Sequence, residues 1–368
     1  MNSQHVETLI IGAGQAGLTT GYQLKRRGRP VLILDAKQRI GDNWRQHWDT
    51  LRLYTPAKYD GLPGLPFPAE PWHFPGKDEV GDYLERYALH FDLPVRANTR
   101  VDRLEARPDG GYVAYVGDET ITCDNVVVAT GSFGRTPNVP DFAAELDPAI
   151  RQMHSIEYQR PEQLQPGPVL VVGASHSGQD IALELAETRQ TILCGPSRGN
   201  LPLRPESRRA HVLLPIVIFI FKHVLTRRTP MGRKEMPEVR FHGGPHLRVK
   251  PQDLDRKGVV RNQARMTGVD GGRPVLADGT VLEVSNVIWC TGFRQVFGWI
   301  KLPVIADDGW PVEWRGVVDA APGLFFCGLS FQYAFASMVF PGVGRDAGYV
   351  ANRIDARART ETATLQVA

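Results

Sequence analysis

The sequence predicts an α/β fold built from two dinucleotide-binding units, one nested inside the other. Three observations carry this expectation. A glycine-rich turn, Gly12-Ala13-Gly14-Gln15-Ala16-Gly17, stands between an apolar run and a helical stretch near the start. A turn of the same type, Gly173-Ala174-Ser175-His176-Ser177-Gly178, recurs 161 residues later. The length of 368 residues corresponds to about two domains of ~150 residues.

Composition supports a globular chain. It is 42% hydrophobic and 23% charged, which excludes disordered, collagen-like and coiled-coil classes. The 43 basic and 40 acidic residues leave a net charge of +3, so there is no global reason to expect a nucleic acid partner. Cys123, Cys194, Cys290 and Cys327 lie far apart. Their spacing provides neither a zinc site nor a Cys-x-x-Cys redox pair. The polar N-terminus runs directly into an apolar strand, so no signal peptide and a cytoplasmic location are expected. The longest apolar run, 212–221, has ten residues and contains Pro215, whereas a membrane-spanning helix needs ~20.

The first unit reads as a strand at 6–11, the glycine turn, a helix to about residue 27, and a strand at 31–34 ending in Asp35. Gly12 permits a tight turn, Gly14 lets backbone N–H groups approach a pyrophosphate, and Gly17 lets the helix pack closely on the strand. The helix N-terminus then faces the phosphates with its partial positive charge. Asp35, 23 residues after Gly12, is placed to accept hydrogen bonds from a ribose diol, as FAD requires. Helical spacing predicts a packing helix at 78–91, with Asp78 as its N-cap. A hairpin follows at 112–116 and 120–122, then a buried strand at 126–129 ending in Thr130-Gly131.

The second unit repeats strand, turn, helix and strand, but no acid follows its second strand. Gly195-Pro196-Ser197-Arg198 stands there instead. A carboxylate repels a 2′-phosphate, whereas Ser197 and Arg198 can hold one, so NADPH is favoured over NADH. Further along come a hairpin around Asp278-Gly279 and a buried strand at 287–289 ending in Cys290-Thr291-Gly292. A last strand at 324–327 ends in Gly328, and a helix is predicted at 345–354. The tail after Arg357 is expected to fray.

Two such units imply two dinucleotides, and hydride transfer from nicotinamide to flavin is the natural chemistry between them. At this point the chain resembles the class B flavin monooxygenases: the flavin-containing monooxygenases, the plant indole-3-pyruvate monooxygenases and related bacterial flavoproteins. The resemblance rests on both glycine turns, Gly41-Asp42-Asn43-Trp44, 62–68, Ala129-Thr130-Gly131 and Thr291-Gly292-Phe293. It implies a glutathione-reductase-like flavoprotein of two Rossmann-like domains, FAD over 1–155 and 290–368 and NADPH over 160–289. It also implies that Asn43 and Trp44 neighbour the flavin and that a strand beginning at Val101 contacts adenine. Tyr54 stands where an asparagine near the reactive flavin carbon is common. The linker has Pro148 and Ile150 at the family's Phe and Gly positions, while His154 and Tyr158 are kept.

The chemistry so implied is reduction of FAD by NADPH, addition of dioxygen at flavin C4a, and transfer of one oxygen atom to a nitrogen, sulfur or carbonyl centre of a small organic substrate. No catalytic residue is assigned. His47, His73 and His176 are weighed and given no chemical role. Gln332 and Tyr333 are candidates to approach the flavin by position alone. Two other readings are kept: an NADPH oxidase or reductase without oxygen insertion, and a non-catalytic flavin-binding redox sensor. Segment 198–234 holds nine Lys or Arg against one Glu around an apolar middle. It is read as an insertion packed on the NADPH domain or on a partner subunit, in preference to a membrane contact. Association into a homo-oligomer is left open.

Overall fold

A computed structural model describes residues 3–132, 136–197, 199–201, 203–205 and 207–367. The chain opens with β1 (Ser3–Ile11), α1 (Gln15–Lys25) and β2 (Val31–Leu34), then α2 (Asp42–Arg45) and α3 (Lys77–His90). Strands β3 (Val95–Arg96), β4 (Arg103–Ala106), β5 (Tyr112–Val116) and β6 (Glu119–Val128) follow. After β7 (Thr136–Pro137) and β8 (Arg151–His154), the second turn lies between β9 (Val169–Val172) and α4 (His176–Leu185), and leads to β10 (Thr191–Cys194). Helices α5 (Ala210–Phe219), α6 (Pro230–His242) and α7 (Pro251–Arg256) precede β11 (Val260–Asn262), β12 (Met266–Asp270), β13 (Arg273–Leu276) and β14 (Asn286–Trp289). The chain closes with β15 (Phe293–Arg294), β16 (Leu324–Phe326) and α8 (Phe340–Val367).

Among the described residues these strands form two main sheets. The first runs β3-β2-β1-β6-β5-β4, with β16 also on β6. The second runs β11-β10-β9-β14-β8, with every pair parallel. All four residues of β9, β10 and β14 are buried, as the strands of a parallel sheet covered on both faces should be. The first sheet draws on both ends of the chain, so the second unit is nested within the first. The short pair β7–β15 joins the two crossings between them.

Several elements differ from the sequence reading, each for a physical reason. The hairpin strand at 120–122 and the buried strand at 126–129 are one strand, β6. Its first half pairs antiparallel with β5 and its second half parallel with β1 and β16, so its burial pattern changes midway. Residues 151–154, assigned to the first domain, form the edge of the second sheet against β14. The outer half of β8 is exposed, so no apolar run marked it. The strand expected from Val101 begins at Arg103, because Asp102 is engaged by the following turn, its Oδ2 accepting from Gly117 N–H at 3.0 Å. Helix α3 is capped at Gly76 rather than Asp78, the Gly76 N–H donating to Glu79 Oε2 at 2.7 Å. Helix α8 starts five residues earlier than expected and continues past Arg357 to Val367.

The insertion bridges both domains. The inner face of α5, Ala210, Leu214 and Ile218, packs on Leu203 and Leu247 and on Tyr54, Tyr59 and Trp72 of the first domain. Beyond it, the Phe221 ring lies 4.1 Å from that of Phe335. Arg227 Nη1 donates to Glu313 Oε1 at 2.5 Å and to the Gln332 carbonyl at 2.9 Å. The outer face of α5 leaves Val212, Ile216 and Phe219 exposed. Among the described residues no helix is long and apolar enough to cross a membrane.

Candidate active site at the seam of the two dinucleotide-binding units

The first glycine turn is held shut by its own backbone. Gly12 has φ +112°, and a Cβ there would lie 2.6 Å from the Ala129 carbonyl oxygen. A Cβ on Gly17 would lie 1.8 Å from the Gly12 carbonyl oxygen, whereas one on Gly14 would meet nothing within 4 Å. Gly14 thus opens on free space at the uncapped N-terminus of α1, the arrangement that accepts a pyrophosphate. Asp35 Oδ2 accepts from Ala13 N–H at 2.6 Å and Oδ1 from Lys37 N–H at 2.8 Å. The carboxylate is fixed beside the turn with lone pairs left for a diol. Thr130, at the end of β6, keeps its buried hydroxyl oxygen without a hydrogen-bond partner, and Gly131 has φ +74° with open space around it. Ala16 is pressed against Gly328, where a Cβ would come within 2.5 Å of the Ala16 methyl. These residues fit a bound FAD.

The second turn repeats this geometry. Gly173 has φ +108°, and its Cβ would lie 2.4 Å from the Cys290 carbonyl oxygen. A Cβ on Gly178 would again lie 1.8 Å from the carbonyl of the first glycine. Gly12 N–H donates to the Leu34 carbonyl at 2.7 Å and Gly173 N–H to the Cys194 carbonyl at 2.9 Å. The position matching Asp35 is therefore Gly195, which has no carboxylate. Ser175 caps α4 without a side-chain hydrogen bond, and Ser177 lies in its first turn. Ser197 is exposed, and its hydroxyl receives the Gly199 N–H at 3.3 Å. Arg198 lies outside the described residues.

Between the units sits a polar cluster, largely buried, that joins two residues the sequence had named, Tyr54 and His176, to three it had not. Tyr54 Oη donates to Asp180 Oδ2 at 2.9 Å, and Arg248 Nη2 pairs with the same oxygen at 3.0 Å. The Tyr54 ring lies 4.8 Å from His176, which lies 5.2 Å from His246. Burial pulls His176 and His246 down to about 4, so both are neutral near pH 7. Burial also raises the Tyr54 phenol well above its ordinary range. Asp180, two residues beyond Gly178, is buried on α4, and neither it nor Arg248 or His246 was singled out by the sequence.

The remaining sequence candidates are dispersed around the seam. Gly41 needs its positive φ, since a Cβ there would meet the Gly81 carbonyl oxygen at 2.4 Å. It aims Trp44 at the junction, where Trp44 packs on the hydrophobic cores of both units and its ring lies 6.0 Å from Phe340. Asn43 is exposed. Gln15 Nε2 donates to the Met338 carbonyl at 3.2 Å, tying the first turn to the start of α8. Thr291 Oγ1 donates to the Asn138 carbonyl, and the Gly292 carbonyl meets His154 Nε2 at 3.0 Å. These two residues pin the chain crossings. Gln332 is fully buried, and its amide closes its own loop through the Phe326 carbonyl and Leu329 N–H. Val101 lies outside any strand and packs on the first domain's second core cluster. His47 is pulled down to about 4 by burial, and His73 pairs with Glu79 at 2.9 Å.

All four cysteines are free and buried. Burial pushes the thiols of Cys123, Cys290 and Cys327 up to about 12 and that of Cys194 to about 11. None is a thiolate nucleophile at neutral pH.

Residues 9–216 match the family described as pyridine nucleotide-disulphide oxidoreductase. The chain is 36% identical over 354 residues to an uncharacterised CzcO-like oxidoreductase of Geobacillus kaustophilus, covering 95% of this chain and 99% of the relative. It is 35% identical over 341 residues to an indole-3-pyruvate monooxygenase of rice, covering 84% of each. Among solved structures, the flavin-containing monooxygenase of Stenotrophomonas maltophilia superposes with a TM-score of 0.75 at 26% identity, covering 96% of this chain and 99% of that one. The duplicated glycine turns and these likenesses agree, and the chain belongs to the pyridine nucleotide-disulphide oxidoreductase family, within its class B flavin-dependent monooxygenase branch.

Proposed function

We propose that the chain is an NADPH-dependent FAD monooxygenase acting on a small organic molecule. One observation carries the reading: the two glycine turns share one backbone geometry, but the carboxylate at Asp35 in the first is replaced by Gly195 in the second. The first then suits a dinucleotide with a free ribose diol, and the second one with a 2′-phosphate. Bound here, FAD would supply two-electron and oxygen chemistry and NADPH the hydride.

The chain's own residues would bind, orient and exclude. The Gly12–Gly17 turn and the N-terminus of α1 hold the FAD pyrophosphate, Asp35 the ribose, and Thr130 and Gly131 the adjoining backbone face. The Gly173–Gly178 turn, with Ser175, His176 and Ser177, holds the second dinucleotide, and Ser197 and Arg198 its 2′-phosphate. Trp44 and α5 keep water from the seam, which favours oxygen transfer over loss of peroxide. Tyr54, hydrogen-bonded to Asp180 and with its ring tilted against that of His176, fixes the boundary between the two sites. The buried thiols leave no dithiol route for the electrons.

Rapid mixing tests this. Protein reduced anaerobically by NADPH and then exposed to oxygen is expected to hold an absorbance that is neither oxidised nor reduced flavin. Peroxide released in step with NADPH consumption, with no such absorbance, would overturn the oxygen-inserting part of the reading. A flavin that NADPH cannot reduce would overturn the whole. Replacing Arg198 with Ala is expected to raise KM for NADPH far more than for NADH.

A further inference from the structure

Packing between the two units accounts for the inner face of α5 and leaves its outer face without a role. Val212, Leu213, Ile216 and Phe219 are between 42% and 69% exposed, and the spacing of Val212, Ile216 and Phe219 puts them on one side of the helix. Four of the twelve large apolar side chains exposed among the described residues thus fall within eight positions. Single exposed apolar residues are ordinary, whereas a contiguous patch of them marks a contact surface.

The patch has a charged border. Arg208 and Arg209 lie four residues before Val212 and Leu213, on the same side. Both are exposed, and among the described residues neither guanidinium has an ion pair. They flank the N-terminus of α5, which has no side-chain cap and no acid in its first turn. Cations there oppose the helix dipole, an arrangement that phosphate groups from outside relieve. A cavity of about 810 Å³ adjoins them, walled by Arg204, Arg208, Arg209 and Lys250, with Leu213 on its apolar side. Arg204 Nη2 pairs with Asp253 Oδ1 at 3.0 Å, and Lys250 Nζ donates to the Leu201 carbonyl at 2.7 Å. Arg208 and Arg209 are then the cations of this wall best placed to take an anion. Leu213 belongs to both the cavity wall and the exposed face, so the basic and apolar surfaces are continuous. From 207 to 234 the chain has seven Lys or Arg and no Asp or Glu.

Size and charge select the occupant. A helix of ten residues is ~15 Å long and ~10 Å across, a footprint far below the ~800 Å² that a specific protein interface takes from each partner. A second copy meeting this face about a two-fold axis would set arginines against arginines, or against Lys222 and His223 beyond the far end of α5. A lipid surface with anionic headgroups meets neither obstacle. Apolar side chains enter the boundary between headgroups and acyl chains, and the cations meet phosphates.

We propose that the outer face of α5 docks the protein on an anionic lipid bilayer, with Val212, Ile216 and Phe219 entering the interface and lipid phosphates at Arg208 and Arg209. This contact does not depend on the monooxygenase reading.

The test is flotation of the FAD-loaded protein with vesicles of phosphatidylcholine alone or mixed equally with phosphatidylglycerol, at physiological ionic strength. The anionic vesicles are expected to bind at least tenfold more strongly than the neutral ones. Ile216→Glu should abolish that binding, and the double change Arg208→Gln and Arg209→Gln should weaken it by roughly tenfold or more. Leu89→Glu, at an exposed apolar residue of α3, should leave it unchanged. Emission of the Ile216→Trp variant should shift to the blue on anionic vesicles, and saturating NADPH should not release the protein. Equal or absent binding to the two vesicles, retention by Ile216→Glu, an equal loss in Leu89→Glu, or no blue shift would each overturn the proposal. Release by NADPH would assign the basic cavity to the dinucleotide and overturn it as well. So would a dimer that Ile216→Glu turns into a monomer without lipid, since the face would then belong to a second copy. Should Ile216→Glu lose its flavin, Phe219→Glu takes its place.

Discussion

A single methyl group separates the duties of the glycines in the first turn. Gly17→Ala drives a Cβ into the Gly12 carbonyl, where nothing can yield without moving α1 from β1. A loss of about 3 kcal/mol or more is expected, at the upper end of overpacking costs, read as a fall in Tm. Gly14→Ala meets no protein atom. It should keep Tm in the FAD-free protein and lose flavin on gel filtration. Asp60 makes a different prediction. Its folded pKa of about 8 lies above the ordinary carboxyl value, so the folded state holds a proton that the unfolded state releases. Its contribution is intact below about pH 4 and is lost as pH rises toward about 8, at up to ~1.4 kcal/mol per pH unit. Asp60→Asn should flatten that fall in denaturation midpoints measured from pH 5 to 8. At this scale the turn glycines were readable because their spacing is local. Arg248 and Asp180, or Lys222 and Arg345, meet only through tertiary folding, and no pattern in the chain pairs them.

Among the elements, those with a period or a run were legible and those made by their neighbours were not. The strands β9 and β14 are fully buried and apolar but for Asn286, and were read within a residue or so. The edge strand β8, half exposed, was assigned to the other domain because burial on one side leaves no run. Helix α5 shows what tertiary context adds: its sequence is apolar all round, and only the fold separates an inner from an outer face. Leu214→Ala, on the inner face with 1% exposure, should cost about 2–5 kcal/mol. Ile216→Ala, with 52% exposure, should stay within about 0.5 kcal/mol. Chemical denaturation of the two variants separates the faces.

For the whole molecule, the nesting of the second unit within the first was legible from two turns 161 residues apart. The bridging role of the insertion was not, since its contacts at Glu313, Phe335 and Arg345 lie far along the chain. The cysteines give a global prediction. With all four thiols buried and unreactive, native protein should give almost no colour with a thiol reagent in minutes, and unfolded protein four equivalents. NADPH oxidation should survive alkylation under native conditions.

The insertion has a mechanical consequence. Arg227 grips Glu313 and Gln332, and Arg345 grips the Lys222 carbonyl, so a chain segment rooted in one domain is fastened to the other. Turning the second body against the first would stretch this tether or break its charged clasps. The segment therefore acts as a strap between the two sheets, and a few hydrogen bonds far from both glycine turns resist any change in their mutual orientation.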